Sequence, residues 1–251
     1  MCGWTWAAAS RRGTGHIDMG ERRQDAFRVV TVDPGFLVAV ACDGAGSAPY
    51  GGLGAALAAR TLSVMAEAWV AESRALPPPE QLELWTVIAL QKIEMAAARL
   101  GTTANDFATT VVFAVSDGTS TTIAHIGDGA VVARATETNE WVDLSWPESG
   151  EYAATTFFLT DLVPRLRISV VTGLAIDRLA LLTDGLERLA LDFARRMPHT
   201  PFFDGLFRPI EDSVVSGQDL SLSRRLGSFL SSDAVNARTD DDKTLILATL
   251  R

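Results

Sequence analysis

Apolar runs of five to eight residues recur along the chain, interrupted once by a long stretch whose apolar spacing changes to three and four. Segments 26–32 (AFRVVTV) and 36–42 (FLVAVAC) read as strands joined by a turn at Asp33-Pro34-Gly35. A helix is expected from about Gly51 to Arg74, with Leu53, Leu57, Val64, Ala68 and Ala71 as its inner stripe. Pro77-Pro78-Pro79 begins a second helix to about Leu100, where Leu82, Trp85, Ala89, Ile93, Ala96 and Leu100 recur and Gly101 closes it. Strands follow at 107–116, 120–127, 129–135 and 140–144, with Asp117-Gly118 suited to a hairpin turn between the first two. Residues 146–166 read as a loop with a short strand around Thr156–Leu159. Strands return at 167–172 and 177–183. A helical stretch from Leu186, helices over Pro201–Ser213 and Leu220–Leu230, and a strand over Thr244–Leu250 complete the chain. Trp4 and Trp6 read as a hydrophobic N-terminal anchor.

The order is strands, two helices, many strands, helices, strand. Long antiparallel meanders with segregated helices indicate an α+β fold, not an alternating parallel sheet. A four-layer α-β-β-α sandwich, two central antiparallel sheets flanked by helix pairs, accommodates every element. With no repeat and no long linker, residues 1–251 are expected to form one domain.

Composition narrows the function. Apolar residues make up 47% of the 251 positions, ample for a core. Acids outnumber bases 31 to 22, a net charge of −9 with no long basic block, which argues against nucleic acid as a main partner. The two cysteines, Cys2 and Cys42, are too few for a disulfide scaffold and suit a reducing compartment. No apolar window is expected to span a membrane and the N-terminus lacks the pattern of a signal peptide, so a soluble cytoplasmic protein is the expectation.

Charge placement says more. Asp43, Asp128 and Asp184 each end an apolar run, and Asp240-Asp241-Asp242 precede the last one. A carboxylate at the end of a buried strand is a poor stabiliser but a well-anchored ligand. Several such acids from distant parts of one chain imply a hard cation held by oxygen, Mg²⁺ or Mn²⁺. Each Asp-Gly pair alone is ordinary turn chemistry. Stacked carboxylates at 240–242 repel unless a cation lies among them, so one of the three is expected to be a ligand.

The ordered series Gln24-Asp25, Asp43–Ser47 (DGAGS), Ala108–Thr110 (ATT), Ile126–Gly129 (IGDG), Thr183–Leu186 (TDGL) and Asp241–Thr244 (DDKT) resembles the metal-dependent protein phosphatases of the protein phosphatase 2C type. Gly13–His16 followed by Gln24-Asp25-Ala26, and Glu151-Tyr152 with Thr155, fit the compact bacterial branch of that family. The resemblance implies a serine/threonine protein phosphatase in bacterial-type signalling, working on a phosphorylated protein opposite a kinase, with no membrane partner. Two core Mn²⁺ or Mg²⁺ ions would share a hydroxide that attacks phosphorus, with a third, looser ion beside them. It further implies that Asp43 bridges the core ions, that the Gly44 carbonyl binds one, and that Asp184 and Asp241 complete the other. Asp128 would join Asp184 at the third ion, and Asp25 would act from behind through water.

Departures from the family pattern fall near these residues. Gln24 stands where many members carry Glu. Gly20 replaces the usual Arg, leaving Arg22 and Arg23 as candidates to face the phosphate. Ala45 replaces the His of eukaryotic relatives, so His16 becomes the candidate proton donor, against the plainer reading of a hydrogen-bonded loop histidine. His125 reads as a packed strand residue, and Ser47 as a turn stabiliser or a partner for metal-held water. A phosphatase-like binding module with little or no catalysis is the alternative function, and a two-metal phosphodiesterase or nuclease a third.

Overall fold

The computed structural model describes residues 3–32, 35–148 and 156–251. In chain order the elements are β1 (Trp4–Arg11), α1 (Thr14–Asp18), β2 (Ala26–Val32), β3 (Phe36–Cys42), α2 (Gly51–Ser73) and α3 (Pro79–Leu100). Then come β4 (Val111–Ser116), β5 (Ser120–Ile126), β6 (Ala130–Ala135), β7 (Trp141–Ser145), β8 (Arg167–Thr172) and β9 (Ile176–Leu182). The remainder is α4 (Glu187–Ala190), β10 (Leu191–Asp192), β11 (Met197–Pro198), α5 (Thr200–Glu211), β12 (Gly217–Gln218), α6 (Leu220–Leu230), α7 (Asp233–Asn236) and β13 (Lys243–Leu250).

One sheet has the order β12-β1-β13-β9-β6-β7 and the other β2-β3-β4-β5-β8; apart from the β1–β12 pair, both are antiparallel. Period-two alternation sorts their side chains into layers. Leu37, Ala39 and Ala41 of β3 meet Leu179, Leu181, Ile246 and Ala248 of the opposing sheet. The alternate residues Val38, Val40 and Cys42 face α2 and α3. On the far side Leu182, Leu245 and Leu247 pack under α5 and α6. The expected α-β-β-α sandwich is what forms.

Details differ from the sequence reading. Trp4 and Trp6 are buried between the sheets on a strand that the sequence pattern did not mark, β1, which runs against β13 with Trp4 opposite Leu250 and Arg11 opposite Lys243. The small, low-propensity run WTWAAASR disguised that strand. On α2 the inner face is Gly54, Ala55, Ala58, Ala59, Leu62, Ala66 and Val70, while Leu53 and Val64 are exposed. Small residues let the helix lie close to its neighbours. A Cβ on Gly54 would sit 2.0 Å from the Phe107 carbonyl oxygen, so volume overrode hydropathy in choosing the face. By length and composition α2 could also cross a bilayer, contrary to the expectation of no such window; here it forms part of an outer layer. On α3, Leu100 is exposed and Ala97 is buried in its place, with Gly101 closing the helix at φ +67°.

The strand expected from 107 begins only at Val111, after a 3₁₀ turn over Ala104–Phe107. Thr156–Leu159 forms no strand; the Leu159 amide donates instead to the Thr109 carbonyl at 2.8 Å. Cys2, the Asp33-Pro34 half of the first turn, and Glu151, Tyr152 and Thr155 lie outside the described residues.

Candidate functional site

Sheet register brings the acids to one end of the sandwich. Ala26 pairs with Cys42, which sets Asp25 beside Asp43 where β2 begins and β3 ends. Leu182 pairs with Leu245, which sets the end of β9 beside the start of β13, and with them Asp184 and the 240–242 acids. Asp128 occupies the tight connection by which β5 hands the chain to β6 in the other sheet. Gly127 takes φ +101° there, a conformation that disfavours any side chain.

Asp43, Gly44, Ala45, Gly46, Asp128, Asp184, Asp240, Asp241 and His16 line one pocket of about 350 Å³. The 108–110 segment fixes its floor. Asp43 N–H donates to Thr110 Oγ1 at 3.0 Å, while the Asp43 carbonyl accepts from Thr110 N and from Thr109 Oγ1. Gly44 is required on spatial grounds, since a Cβ would lie 2.2 Å from the Gly51 carbonyl carbon at the start of α2.

Behind the pocket Asp25 is buried, its Oδ2 accepting from Thr183 Oγ1 at 2.9 Å and Thr244 Oγ1 at 2.5 Å. Burial, only partly offset by those hydroxyls, pushes its carboxyl up to about 6. Asp43 and Asp184 are held well above the carboxylate range, by burial first and then by neighbouring acids: Asp25 and Asp184 around Asp43, Asp128 and Asp241 around Asp184. Burial also raises Asp128, against a 2.5 Å hydrogen bond from Thr156 Oγ1, and raises Asp241.

Two buried oxygens, Asp25 Oδ1 and Asp184 Oδ1, have no hydrogen-bond partner. Buried carboxylates in that condition are costly unless a proton or cation joins them. Hard oxygen donors alone, in a pocket open to water, suit Mg²⁺ or Mn²⁺. Among the described residues no three acid, histidine or cysteine side chains close into a cage around a single point. The acids instead border an open pocket, an arrangement compatible with an ion that keeps several waters.

Asp242 and Lys243 were not singled out by the sequence reading. Asp242 turns away from the pocket and clamps the loop after β1, accepting from Gly13 N at 2.7 Å and Gln24 N at 2.5 Å. Its Oδ1 lies 3.0 Å from His16 Nδ1, within ion-pair distance. Burial lowers the His16 pKa, but Asp242, then Asp241 and Glu21, outweigh it and leave the imidazole above its usual value. A Cβ on Gly46 would sit 4.0 Å from His16 Nε2, which places that nitrogen beside the pocket's glycine loop. Lys243 is wholly buried, its Nζ donating to Asn236 Oδ1 at 2.9 Å. A lysine directly after three acids and inside an apolar run was the available signal for a buried countercharge.

Other candidates fall elsewhere. The Gln24 amide, oriented with its nitrogen toward the glycine loop, donates to the Gly44 and Ala45 carbonyls at 2.8 Å. It therefore braces the loop from outside the acid pocket. Arg22 and Arg23 line a neighbouring groove. The Arg23 guanidinium donates to the backbone carbonyls of Asp25 and Ser10, so it pins the chain. His125 is a packed strand residue: its Nδ1 lies 2.6 Å from Ser145 Oγ, and burial, then Arg167, push it down to about 3.

Comparison with known proteins agrees with this geometry. A family model described as protein phosphatase 2C matches residues 12–231. Serine/threonine-protein phosphatase 3 of Escherichia coli strain K12 is 38% identical over 259 residues, covering 98% of both chains. Among solved structures, a bacterial serine phosphatase matches at TM-score 0.66 and 18% identity, over 98% of this chain and 97% of that one. Stp1 of Staphylococcus aureus, a serine/threonine phosphatase, matches at TM-score 0.66 and 17% identity, over 98% and 94%. PppA of Pseudomonas aeruginosa, described as a regulatory component of a T6SS, matches at 0.64 and 16% over the full length of both. At such identities the structural matches speak for the fold, while the family model and the relative from Escherichia coli speak for descent. By both, the chain belongs to the protein phosphatase 2C family.

Proposed function

We propose that this chain is a serine/threonine protein phosphatase that hydrolyses phosphomonoesters on proteins with Mn²⁺ or Mg²⁺ as cofactor, in cytoplasmic signalling opposite a kinase. The observation that carries this reading is the gathering of Asp43, Asp128, Asp184 and Asp241 around one open pocket backed by unpartnered buried carboxylate oxygens. Asp43, Asp184, Asp241 and the Gly44 carbonyl would hold the core ions, and Asp128 with Asp184 a third. Bound there, the cations would supply Lewis acidity that acidifies water and offsets phosphate charge.

The remaining tasks belong to the chain itself. Thr183 and Thr244 hold Asp25 by one oxygen and leave the other toward Asp43. From there Asp25 would orient the attacking water. Gln24 keeps the glycine loop in place through two carbonyls. His16, charged more readily than a free histidine because Asp242 lies behind it, would donate a proton to the departing serine or threonine oxygen.

Phosphate release from an aryl phosphate and a phosphothreonine peptide tests this, with Mn²⁺, with chelator, and for Asp43→Ala. Turnover that needs metal and falls at least about 10²-fold in the variant is expected, since a residue that would hold the core ions should matter at least as much as one transition-state donor. Turnover indifferent to chelator would overturn the role of the metal, and none on either substrate with Mn²⁺ present would overturn the enzyme and leave a binding module.

A further inference from the structure

A second cavity, of about 690 Å³, adjoins the acid pocket and shares Gly46 and Ser47 with it. One wall is the loop carrying Glu21, Arg22, Arg23 and Gln24; the other is the glycine loop running through Tyr50 into the first turn of α2 at Leu53. Such a volume falls within the roughly 300–1,000 Å³ of sites that enclose a sizeable ligand.

The groove differs from the pocket in charge and polarity. The pocket presents carboxylates, whereas the groove offers arginine and apolar surface. Arg23 is committed to the Ser10 and Asp25 carbonyls, and Glu21 lies toward His16, its carboxylate 3.8 Å from Nε2. Arg22 is exposed and lines the groove. Across the groove, Tyr50 and Leu53 stand 39% and 45% exposed. The Tyr50 ring is held in place by stacking on Phe107, 5.0 Å between centroids. This wall is rigid.

We infer that the groove binds the stretch of a phosphoprotein next to its phosphorylated residue, with Arg22 pairing an acidic side chain and Tyr50 with Leu53 seating an apolar one. The inference rests on the phosphatase reading and deepens it. Continuity supplies the occupant: a phosphoresidue in the acid pocket leaves its sequence neighbours at Gly46 and Ser47, where the groove begins. Charge supplies the preference. The groove's lining carries two arginines, Arg22 and Arg23, against one acid, Glu21, and this local positive excess favours a flanking Asp or Glu over Lys. Arg22 then reads a residue beside the phosphate, not the phosphate itself, while Arg23 holds the chain behind it.

The test uses phosphothreonine peptides identical except for Glu, Ala or Lys at the flanking positions, with an aryl phosphate as a substrate that has no flanks. For the wild type, kcat/KM should favour Glu over Lys by about tenfold at low salt, and the preference should fade as ionic strength screens it. Arg22→Glu should reverse the order, so that the Lys peptide becomes the better substrate; Arg22→Ala should bring the ratio near one. A merely structural role for Arg22 would slow all peptides alike and could not produce the reversal. Equal Glu and Lys ratios in wild type and variants, with aryl phosphate turned over normally by the wild type, would overturn the groove alone. Failure of the wild type on aryl phosphate with Mn²⁺ would instead remove the phosphatase reading, and the groove's role with it.

Discussion

On β9 the side chains of Leu179 and Leu181 are entirely buried between the sheets, while two residues beyond the strand's end Asp184 holds a buried oxygen with no partner. The same contrast recurs on β3, whose Leu37, Ala39 and Ala41 fill the interior ahead of Asp43, and on β13, whose Ile246 and Ala248 follow Asp241. Interior and rim are thus built from the same backbones. Interior contacts lower the free energy of the fold, whereas crowded acids raise it. The apolar mid-strand segments offset the cost of the crowded rim and fix where its acids stand. A site built on loops alone would relax away from such crowding.

The contrast can be broken first at the interior. Leu181→Ala should cost about 2–5 kcal/mol, the range for truncating a buried leucine. Urea unfolding would measure it, and a cost below about 1 kcal/mol would mean that the strand middles do not support the rim.

A smaller effect should appear at the rim with metal removed. Asp25 is raised from 3.8 to about 6, so the folded protein binds this proton more tightly than the unfolded chain does. Its stabilising contribution is complete below the unfolded value and is lost as pH rises through the folded one. In chelator, wild-type stability should therefore fall between about pH 4 and 7, by roughly 3 kcal/mol at most from this group. Asp25→Asn should flatten that slope, and an unchanged slope would show that burial of Asp25 carries no cost. Added Mn²⁺ should restore stability at the high-pH end, because an ion that binds only the folded state stabilises it.

The smallest expected change sharpens the division of labour within the rim. His16→Gln should lower kcat by about 10²-fold, at the modest end for loss of a general acid, and most for substrates with a poor leaving group. The basic limb of the pH profile, set by His16 losing its proton, should disappear while the aryl phosphate with its good leaving group is scarcely affected. Equal loss on alkyl and aryl phosphates would assign His16 a purely structural role against Asp242.

Much of this was written in local pattern. Apolar runs marked β2, β3, β5 and β8 almost to the residue, and the helical spacing of Leu82, Trp85, Ala89 and Ile93 marked α3. Spacing failed where small residues dominate. On β1 an alanine-rich run carries little hydropathic contrast, and on α2 the face was chosen by closeness of approach at Gly54, not by the larger Leu53 and Val64.

For the site, the sequence by itself determined which acids end buried strands, because that depends only on neighbours along the chain. Tertiary structure alone decided that they meet: the pairing of Ala26 with Cys42 and of Leu182 with Leu245 is long-range register, invisible in any local window. It also decided between adjacent acids, turning Asp241 into the pocket and Asp242 back onto Gly13 and Gln24, and it carried Arg22 and Arg23 out of the pocket into the groove. Pattern along a chain encodes burial, which is a property of each segment. Direction and partnership arise only when segments distant in sequence pack together.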